Sequence, residues 1–189
     1  MMNNIIEKVG YVLADYSPLR ADPAGRIAAA VAVILVEGDG DLEILLIKRT
    51  EHEDDPWSGQ IALPGGRIEV QDVSLLDTAI RETMEETNVD LSSGQLLGEL
   101  DDLSTNNPLL PPMLVRPFVF SLESRKPVIH SNEVAEHFWI SLPDLLDSGV
   151  TEDIDVQGYS LTVDGLRFGK HFLWGMTSGI LIHFQKLVW

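Results

Sequence analysis

The chain has 189 residues, of which 44% are hydrophobic and 7% aromatic, a composition typical of a folded domain with a substantial core. Thirty acidic residues against thirteen Lys and Arg give a formal net charge of −17, which repels phosphate backbones and argues against general nucleic-acid binding. The absence of cysteine excludes disulfides, thiolate chemistry and cysteine-ligated zinc.

The N-terminal residues are expected to form a helical extension of a single domain. We expect a single domain over residues 1–189, in which residues 1–26 form an N-terminal extension with a weak helix at 2–15. No apolar run is long enough to span a bilayer, and the first residues lack the basic and apolar regions of a signal peptide. We therefore expect a cytoplasmic protein without membrane contact. The sequence leaves the oligomeric state open, with a homodimer among the alternatives.

Two buried strands are predicted next. Residues 27–36, IAAAVAVILV, are apolar throughout, which is typical of a strand covered on both faces. A polar turn at 37–41 leads to a second strand at 42–48, so the two form a hairpin. Residues 49–59 are polar and interrupted by proline and glycine, and we expect a loop that leads into a short strand at 60–63.

Residues 63–89, LPGGRIEVQDVSLLDTAIRETMEETNV, begin with a glycine turn and continue into a helix. Ser74 is a suitable N-cap, and Asp77 gives an acidic version of the capping box, so the helix is expected over 75–87. Asn88 tolerates left-handed backbone angles and is expected to end the helix.

The predicted helix carries an acidic face. At about 100° per residue, an arc of roughly 100° holds Glu82, Glu85 and Glu86. The opposite, packing face holds Leu76, Ile80, Thr83, Met84 and Thr87. Like charges one turn apart destabilise a helix unless they are neutralised, and Mg²⁺ or Mn²⁺ prefers such oxygen ligands. We therefore predict a metal site that the tight turn at Gly66 approaches. An ordinary solvated face is the alternative.

These residues resemble the signature of the Nudix hydrolases, which cleave a nucleoside diphosphate linked to another group. The matching elements are Gly66, Asp72 and the run Arg81-Glu82-x-x-Glu85-Glu86. The spacing from the glycine to the arginine is one residue longer than usual in the family, and Asn88 stands where a glycine is usual. The coenzyme A pyrophosphatase branch shares both the longer spacing and an aspartate at the position of Asp72.

The resemblance implies an α/β fold, a Nudix-type α/β/α sandwich in which a mixed, curved sheet lies between the metal-bearing helix and a C-terminal helix. The catalytic carboxylates that hold Mg²⁺ or Mn²⁺ would be Glu82, Glu85 and Glu86. Gly66 would add its carbonyl as a metal ligand, while Asp72 and Arg81 would brace the loop and the helix. A further carboxylate from outside the helix often joins the site in this family, and Glu133 and Glu136 are the candidates.

Further strands are expected after the helix, at 95–100 and 113–122. Pro117 in the second indicates a sheet edge or a bulge. The segment between them, 101–112, carries three prolines and two asparagines, so we expect a long irregular loop that shapes the substrate pocket.

The C-terminal third predicts a strand, a hairpin and two helices. Residues 132–140 read as a strand followed by a short helix at 142–147. Residues 159–168 read as a β-hairpin with a tight Asp164-Gly165 turn. Residues 173–189 predict an amphipathic helix packed on the sheet, and its Trp-Gly-Met-Thr run resembles the C-terminal helix of the coenzyme A branch.

Two residues are candidates for substrate contacts. Trp57 can either stack on a base or cover the core beneath its loop. Arg116 can either reach a substrate phosphate or form a salt bridge with one of the many acids.

The resemblance implies a substrate with a pyrophosphate linkage. Coenzyme A or a related compound is favoured by the spacing and the C-terminal helix. ADP-ribose or another nucleoside diphosphate derivative is the alternative, favoured by the acidic residues 53–55 where the coenzyme A branch has a basic residue. A Nudix-like module that binds nucleotides or a partner protein without turnover remains a third alternative.

Overall fold

The computed structural model describes residues 5–38, 41–53, 57–105, 111–156 and 158–189. Within these ranges, the larger sheet consists of β1 (Ile27–Glu37), β2 (Leu42–Arg49), β3 (Ile61–Ala62), β4 (Gly65–Arg67), β5 (Gln95–Glu99), β6 (Leu103–Ser104), β7 (Met113–Leu122) and β8 (Val134–Ser141). A second sheet consists of β9 (Gly149–Val156), β10 (Tyr159–Phe168) and β11 (His171–Trp174). The helices are α1 (Ile5–Asp15), α2 (Leu75–Thr87), α3 (Leu142–Leu146) and α4 (Gly175–Val188).

The apolar strand β1 lies at the centre of the larger sheet. It pairs antiparallel with β2 and β4 and parallel with β7, so the sheet is mixed. Alternate β1 residues enter two different cores, because successive side chains of a strand point to opposite faces. Ala32 and Ile34 pack beneath α2, whereas Val33 and Leu35 pack on the side of α1, α3 and α4. The predicted α/β/α sandwich and the buried 27–36 strand are therefore confirmed.

Pro117 lies in a central strand, so the expectation of a sheet edge is wrong. Strand β7 pairs with β1 along its whole length, and β5 and β6 pair with its other side. The Pro117 carbonyl accepts from the Leu100 N–H at 3.0 Å, beyond the end of β5. The backbone N and O of one residue point to the same side of a strand. The position at which Pro117 lacks an N–H therefore lies opposite the junction between β5 and β6.

The predicted turn at Asp164-Gly165 is also wrong. Both residues lie inside β10, where they pair with Thr151 and Val150 of β9. Glycine is needed at 165 for close packing, because a Cβ there would lie 2.5 Å from the Leu173 carbonyl oxygen. Asp-Gly is a common turn dipeptide, but pairing of β10 with β9 and β11, which are not evident from the local sequence, holds both residues in a strand.

Other boundaries differ in smaller ways. The segment 101–112 contains the two-residue strand β6, while its residues 106–110 lie outside the described ranges. The C-terminal helix begins at Gly175, whose φ of 69° ends β11, and not at residue 173. In the part of the chain that the structure describes, no helix is both long and apolar enough to cross a bilayer.

Candidate active site

Helix α2 is fixed at both ends by the residues that the sequence indicated. The Ser74 Oγ accepts the Asp77 N–H at 3.3 Å, and its hydroxyl donates to Asp77 Oδ2 at 2.9 Å. Asn88 adopts φ 58° and ψ 22°, and its N–H donates to the Met84 carbonyl at 2.9 Å. The predicted Ser74 N-cap and left-handed stop are therefore confirmed, whereas Asp77 binds the Ser74 hydroxyl and not the backbone N–H that completes a capping box.

Glu86 lies beneath the glycine turn and is only 2% exposed. Its Oε2 accepts the Gly65 N–H at 2.8 Å, and its Oε1 lies 3.9 Å from Nη1 of Arg49. Burial raises the pKa of the Glu86 carboxyl to about 8, although the Gly65 bond and Arg49 oppose the shift. The alternative of an ordinary solvated face is therefore wrong for Glu86, and Met84, which was expected on the packing face, is 45% exposed.

The glycine turn brings the backbone close to these carboxylates. Gly65 has φ 152° and pairs with Val31 of β1, and a Cβ on it would lie 2.2 Å from the Ala30 carbonyl oxygen. A Cβ on Gly66 would lie 2.4 Å from Cδ of Glu82. Two consecutive glycines therefore let β4 lie against both β1 and α2.

Arg81 connects the helix to the loop before it. Its Nε and Nη2 donate to the two oxygens of Asp72 at 2.9 Å each, and Nη2 also donates to the Arg67 carbonyl at 3.0 Å. Nη1 donates to Glu82 Oε1 and to Glu85 Oε2, both at 2.9 Å. The Arg81 hydrogen bonds hold the pKa of Asp72 far below its usual range. These contacts agree with the predicted bracing role of Asp72 and Arg81, which stays a prediction.

The three glutamates of α2 have different environments. Glu85 is exposed, Glu82 is partly buried, and burial raises the pKa of Glu82 despite the opposing effect of Arg81. Within the described ranges, no group of three or more His, Asp or Glu side chains is already arranged as a metal site. In the described structure, Glu82 and Glu85 accept hydrogen bonds from Arg81, and Glu86 accepts one from the Gly65 N–H.

The donor set nevertheless fits a hard divalent cation. All the candidate ligands are oxygens, as Mg²⁺ and Mn²⁺ prefer. Glu82 and Glu86 both resist ionisation because of burial, and a bound cation would remove that penalty.

Glu82 and Glu85 line a cavity of about 1060 Å³. Its charged and polar lining includes Glu82, Glu85, Glu133, Arg49, Arg67 and His52. Its apolar lining includes Trp57, Met113, Val115, Trp174, Met176 and Ile180. A volume of this size holds a whole organic ligand and not merely a diphosphate.

Comparison with known proteins decides the family. The model of the NUDIX domain matches residues 26–157, well over half of the chain. This chain belongs to the Nudix hydrolase family. The predicted pyrophosphohydrolase class is thereby confirmed, and Nudix hydrolases generally need a divalent metal such as Mg²⁺ or Mn²⁺.

Two relatives in sequence cover different shares of the chain, and one of them is named as a Nudix hydrolase. The chain is 31% identical over 168 residues to an uncharacterised Nudix hydrolase, NudL, of Photorhabdus laumondii, covering 87% of this chain and 86% of that protein. It is 38% identical over 108 residues to an uncharacterised protein of Schizosaccharomyces pombe, where the match covers 54% of this chain but only 33% of the longer protein.

Solved structures share the fold. A Caenorhabditis elegans Ap4A hydrolase binary complex superposes with a TM-score of 0.57 at 19% identity, covering 85% of this chain and 96% of that chain. A MutT/nudix family protein from Enterococcus faecalis superposes with a TM-score of 0.57 at 22% identity, covering 98% of this chain and 70% of that chain. These likenesses confirm the Nudix architecture.

The two candidates for an additional carboxylate are placed differently in this Nudix hydrolase. Glu133 lines the cavity, and its charge raises the pKa values of Glu82 and Glu86. Glu136 lies 3.4 Å from Nζ of Lys48 and is not among the described residues that line the cavity. The geometry therefore favours Glu133 over Glu136.

The two candidate substrate-binding residues also differ. Trp57 lines the cavity and packs against Ala29, Met113 and Val115, so both expected roles are open to it. Arg116 donates to the two oxygens of Asp102 at 2.7 and 2.9 Å and is absent from the described cavity lining. The salt bridge, and not the phosphate contact, is the role that the structure gives Arg116.

Two cationic residues of the cavity were missed from the sequence. Arg49 ends β2 and lies beside Glu86, and Arg67 ends β4 directly after Gly66. The Arg67 guanidinium is exposed and forms neither a hydrogen bond nor an ion pair with any described residue. The sequence signal that identifies Arg67 is its position directly after Gly66, because a basic residue next to the glycine of a metal-binding turn can contact a phosphate.

Proposed function

We propose that this Nudix hydrolase uses a divalent metal to hydrolyse the pyrophosphate bond of a nucleoside diphosphate derivative, with coenzyme A or a related compound as the favoured substrate. The observation that carries the site is the buried Glu86 carboxylate, which lies beside the Gly65-Gly66 turn with Glu82 and Glu85 on the same helix. A buried carboxyl with a raised pKa, on the same helix as the cavity-lining Glu82 and Glu85, is typical of a functional site.

Each residue of the site has a proposed role. The metal ligands would be Glu82, Glu85, Glu86 and the carbonyl of Gly66. A divalent ion bound there would neutralise the bridging phosphates and lower the pKa of a bound water. Asp72 and Arg81 would position the carboxylates through their hydrogen bonds.

The diphosphate would be held by the cavity's own cations. Arg49 and Arg67 both line the cavity and provide planar groups suited to phosphate oxygens. The proton of the attacking water would pass to a carboxylate oxygen of Glu85 or Glu133, which both line the cavity.

The proposed substrate preference can be tested with a panel of candidate substrates. Coenzyme A, ADP-ribose, dinucleoside polyphosphates and nucleotide sugars are incubated with Mg²⁺ or Mn²⁺, and phosphate-containing products are identified. We expect the highest kcat/KM for a coenzyme A compound. Faster turnover of ADP-ribose would instead support the alternative that the acidic residues 53–55 favour; Glu53 lines the cavity, and residues 54–55 lie outside the described ranges.

A nucleotide-binding module without turnover is the second candidate. It is favoured by the hydrogen bonds from Arg81 that occupy both Glu82 and Glu85. Tight nucleotide binding without products from any panel member would establish it.

The single domain over 1–189, the cytoplasmic location and a homodimer stay predictions from the sequence.

A further inference from the structure

The hairpin formed by β9 and β10 is strongly amphipathic. Directly paired residues of antiparallel strands share one face, and the pairs here include Val156 with Tyr159 and Ile154 with Leu161. One face of the hairpin, here called the apolar face, carries Ile154, Val156, Tyr159, Leu161 and Val163 near the turn, followed by Glu152 and Val150 further from it. The other face carries Thr151, Asp153, Asp155, Ser160, Thr162 and Asp164.

Two pairs on the polar face are hydrogen-bonded to each other, whereas the apolar face is incompletely covered. Thr162 Oγ1 donates to Asp153 Oδ1, and Thr151 Oγ1 donates to Asp164 Oδ1, each at 2.6 Å. On the apolar face, Tyr159 is 60% exposed and Leu161 is 36% exposed. Accessible apolar side chains that lie next to one another at this end of the hairpin are typical of a binding surface.

The apolar face is continuous with the catalytic cavity. Val156 and Leu161 line the same cavity as Glu82 and Glu85, together with Trp174 and Met176. Leu161, Trp174 and Met176 all lie beyond the segment that matches the NUDIX domain model, which ends at residue 157. These three cavity-lining residues therefore come from the C-terminal part of the chain and not from the glycine turn and helix at residues 63–89.

We propose that the β9–β10 hairpin determines specificity: Val156 and Leu161 contact the organic group on the far side of the diphosphate from the nucleoside. This inference rests on the proposed function and adds the residues that select the substrate. Aliphatic side chains can pack against the methyl and methylene groups of a flexible arm such as pantetheine. They offer no hydrogen-bond partners to a hydroxyl-rich sugar, whose buried hydroxyls would then be unsatisfied.

Two matched substrates isolate the group in question. Dephospho-coenzyme A and ADP-ribose share the ADP moiety and differ in what the second phosphate carries, a pantetheine arm or a ribose. Leu161→Gln places a polar group on the apolar face, and Ser160→Gln places the same side chain on the polar face one residue away. Measuring kcat and KM of the full chain with Mg²⁺ for both substrates tests the hairpin.

We expect the wild type to prefer dephospho-coenzyme A. Leu161→Gln should raise the KM for dephospho-coenzyme A about tenfold, the size of effect that a changed apolar contact produces. The kcat should stay within about twofold of the wild-type value. The preference should shift toward ADP-ribose in Leu161→Gln and stay at the wild-type value in Ser160→Gln. Val156→Thr, which keeps the shape of the side chain, should shift it in the same direction and serves where Leu161→Gln does not fold.

The outcomes separate the two proposals. A wild type that turns over neither these substrates nor the rest of the panel overturns the proposed function and the hairpin inference together. A wild type that is active, with the same substrate preference in Leu161→Gln and Val156→Thr as in Ser160→Gln, overturns the hairpin alone. A wild type that prefers ADP-ribose overturns the selection of an apolar arm.

Discussion

Glu86 illustrates how a single side chain can favour function over stability. It is buried, its pKa is about 8, and the Arg49 guanidinium is 3.9 Å away. An unfolded chain ionises this carboxyl near pH 4, whereas the folded, metal-free protein keeps the proton until about pH 8. Since the unfolded state then binds fewer protons, stability falls as the pH rises through this window.

Glu86→Gln should therefore stabilise the metal-free protein at alkaline pH. The amide oxygen can still accept the Gly65 N–H, but no charge has to be buried. We expect a gain on the order of a few kcal/mol at pH 8 that shrinks towards pH 5. The measurement is denaturant unfolding at several pH values with a chelator present. A variant that is less stable than the wild type throughout this range would contradict the assigned burial cost.

Glu85 is expected to matter for turnover and not for folding. It is exposed, and its partner in the described structure is Arg81. Glu85→Gln should lower kcat/KM at least about a hundredfold, because a carboxylate that holds the metal or accepts a proton is lost. The thermal midpoint should change little. Glu123→Gln, at another exposed glutamate, is the control, and equal activity of the two variants would remove Glu85 from the site.

At the scale of the element, helix α2 depends on how it ends. Asn88 occupies the left-handed region with φ 58°, where the family usually has glycine. Asn88→Gly should leave the free energy of unfolding nearly unchanged or slightly raised. Asn88→Val should lower it by about 1–2 kcal/mol, since a side chain with a branched Cβ clashes in this conformation. Denaturant titrations of both variants check the difference, and equal stabilities would show that this cap is not strained.

At the scale of the whole molecule, the two sheets and three of the helices meet around one core. Phe184 of α4 is completely buried in the cluster that also holds Val9, Leu35, Leu142 and Leu173, which come from α1, β1, α3 and β11. The second sheet, which supplies the proposed specificity residues Val156 and Leu161, is thus held by the same core as the larger sheet.

Phe184→Ala should destabilise the protein by about 3–5 kcal/mol, because it removes a large buried ring and leaves a cavity. Val70→Ala, at a fully exposed position beside the active-site loop, should change the free energy of unfolding by less than about 0.5 kcal/mol. Denaturant unfolding of the two variants provides the test. A small effect of Phe184→Ala would mean that α4 is not part of the main core.

The sequence by itself determined those features whose cause is local. The Ser74 cap, the Asn88 stop and the uniformly apolar strand at 27–36 each result from a few neighbouring residues, and each is confirmed. Only the tertiary structure decided the rest, because it depends on partners distant in the chain. Gly165 lies within a strand because β9 and β11 flank it, and Glu86 is buried because β4 covers it. Arg67 reaches the cavity for the same reason: pairing of β4 with β1 places the glycine turn, and the residue after it, beside helix α2.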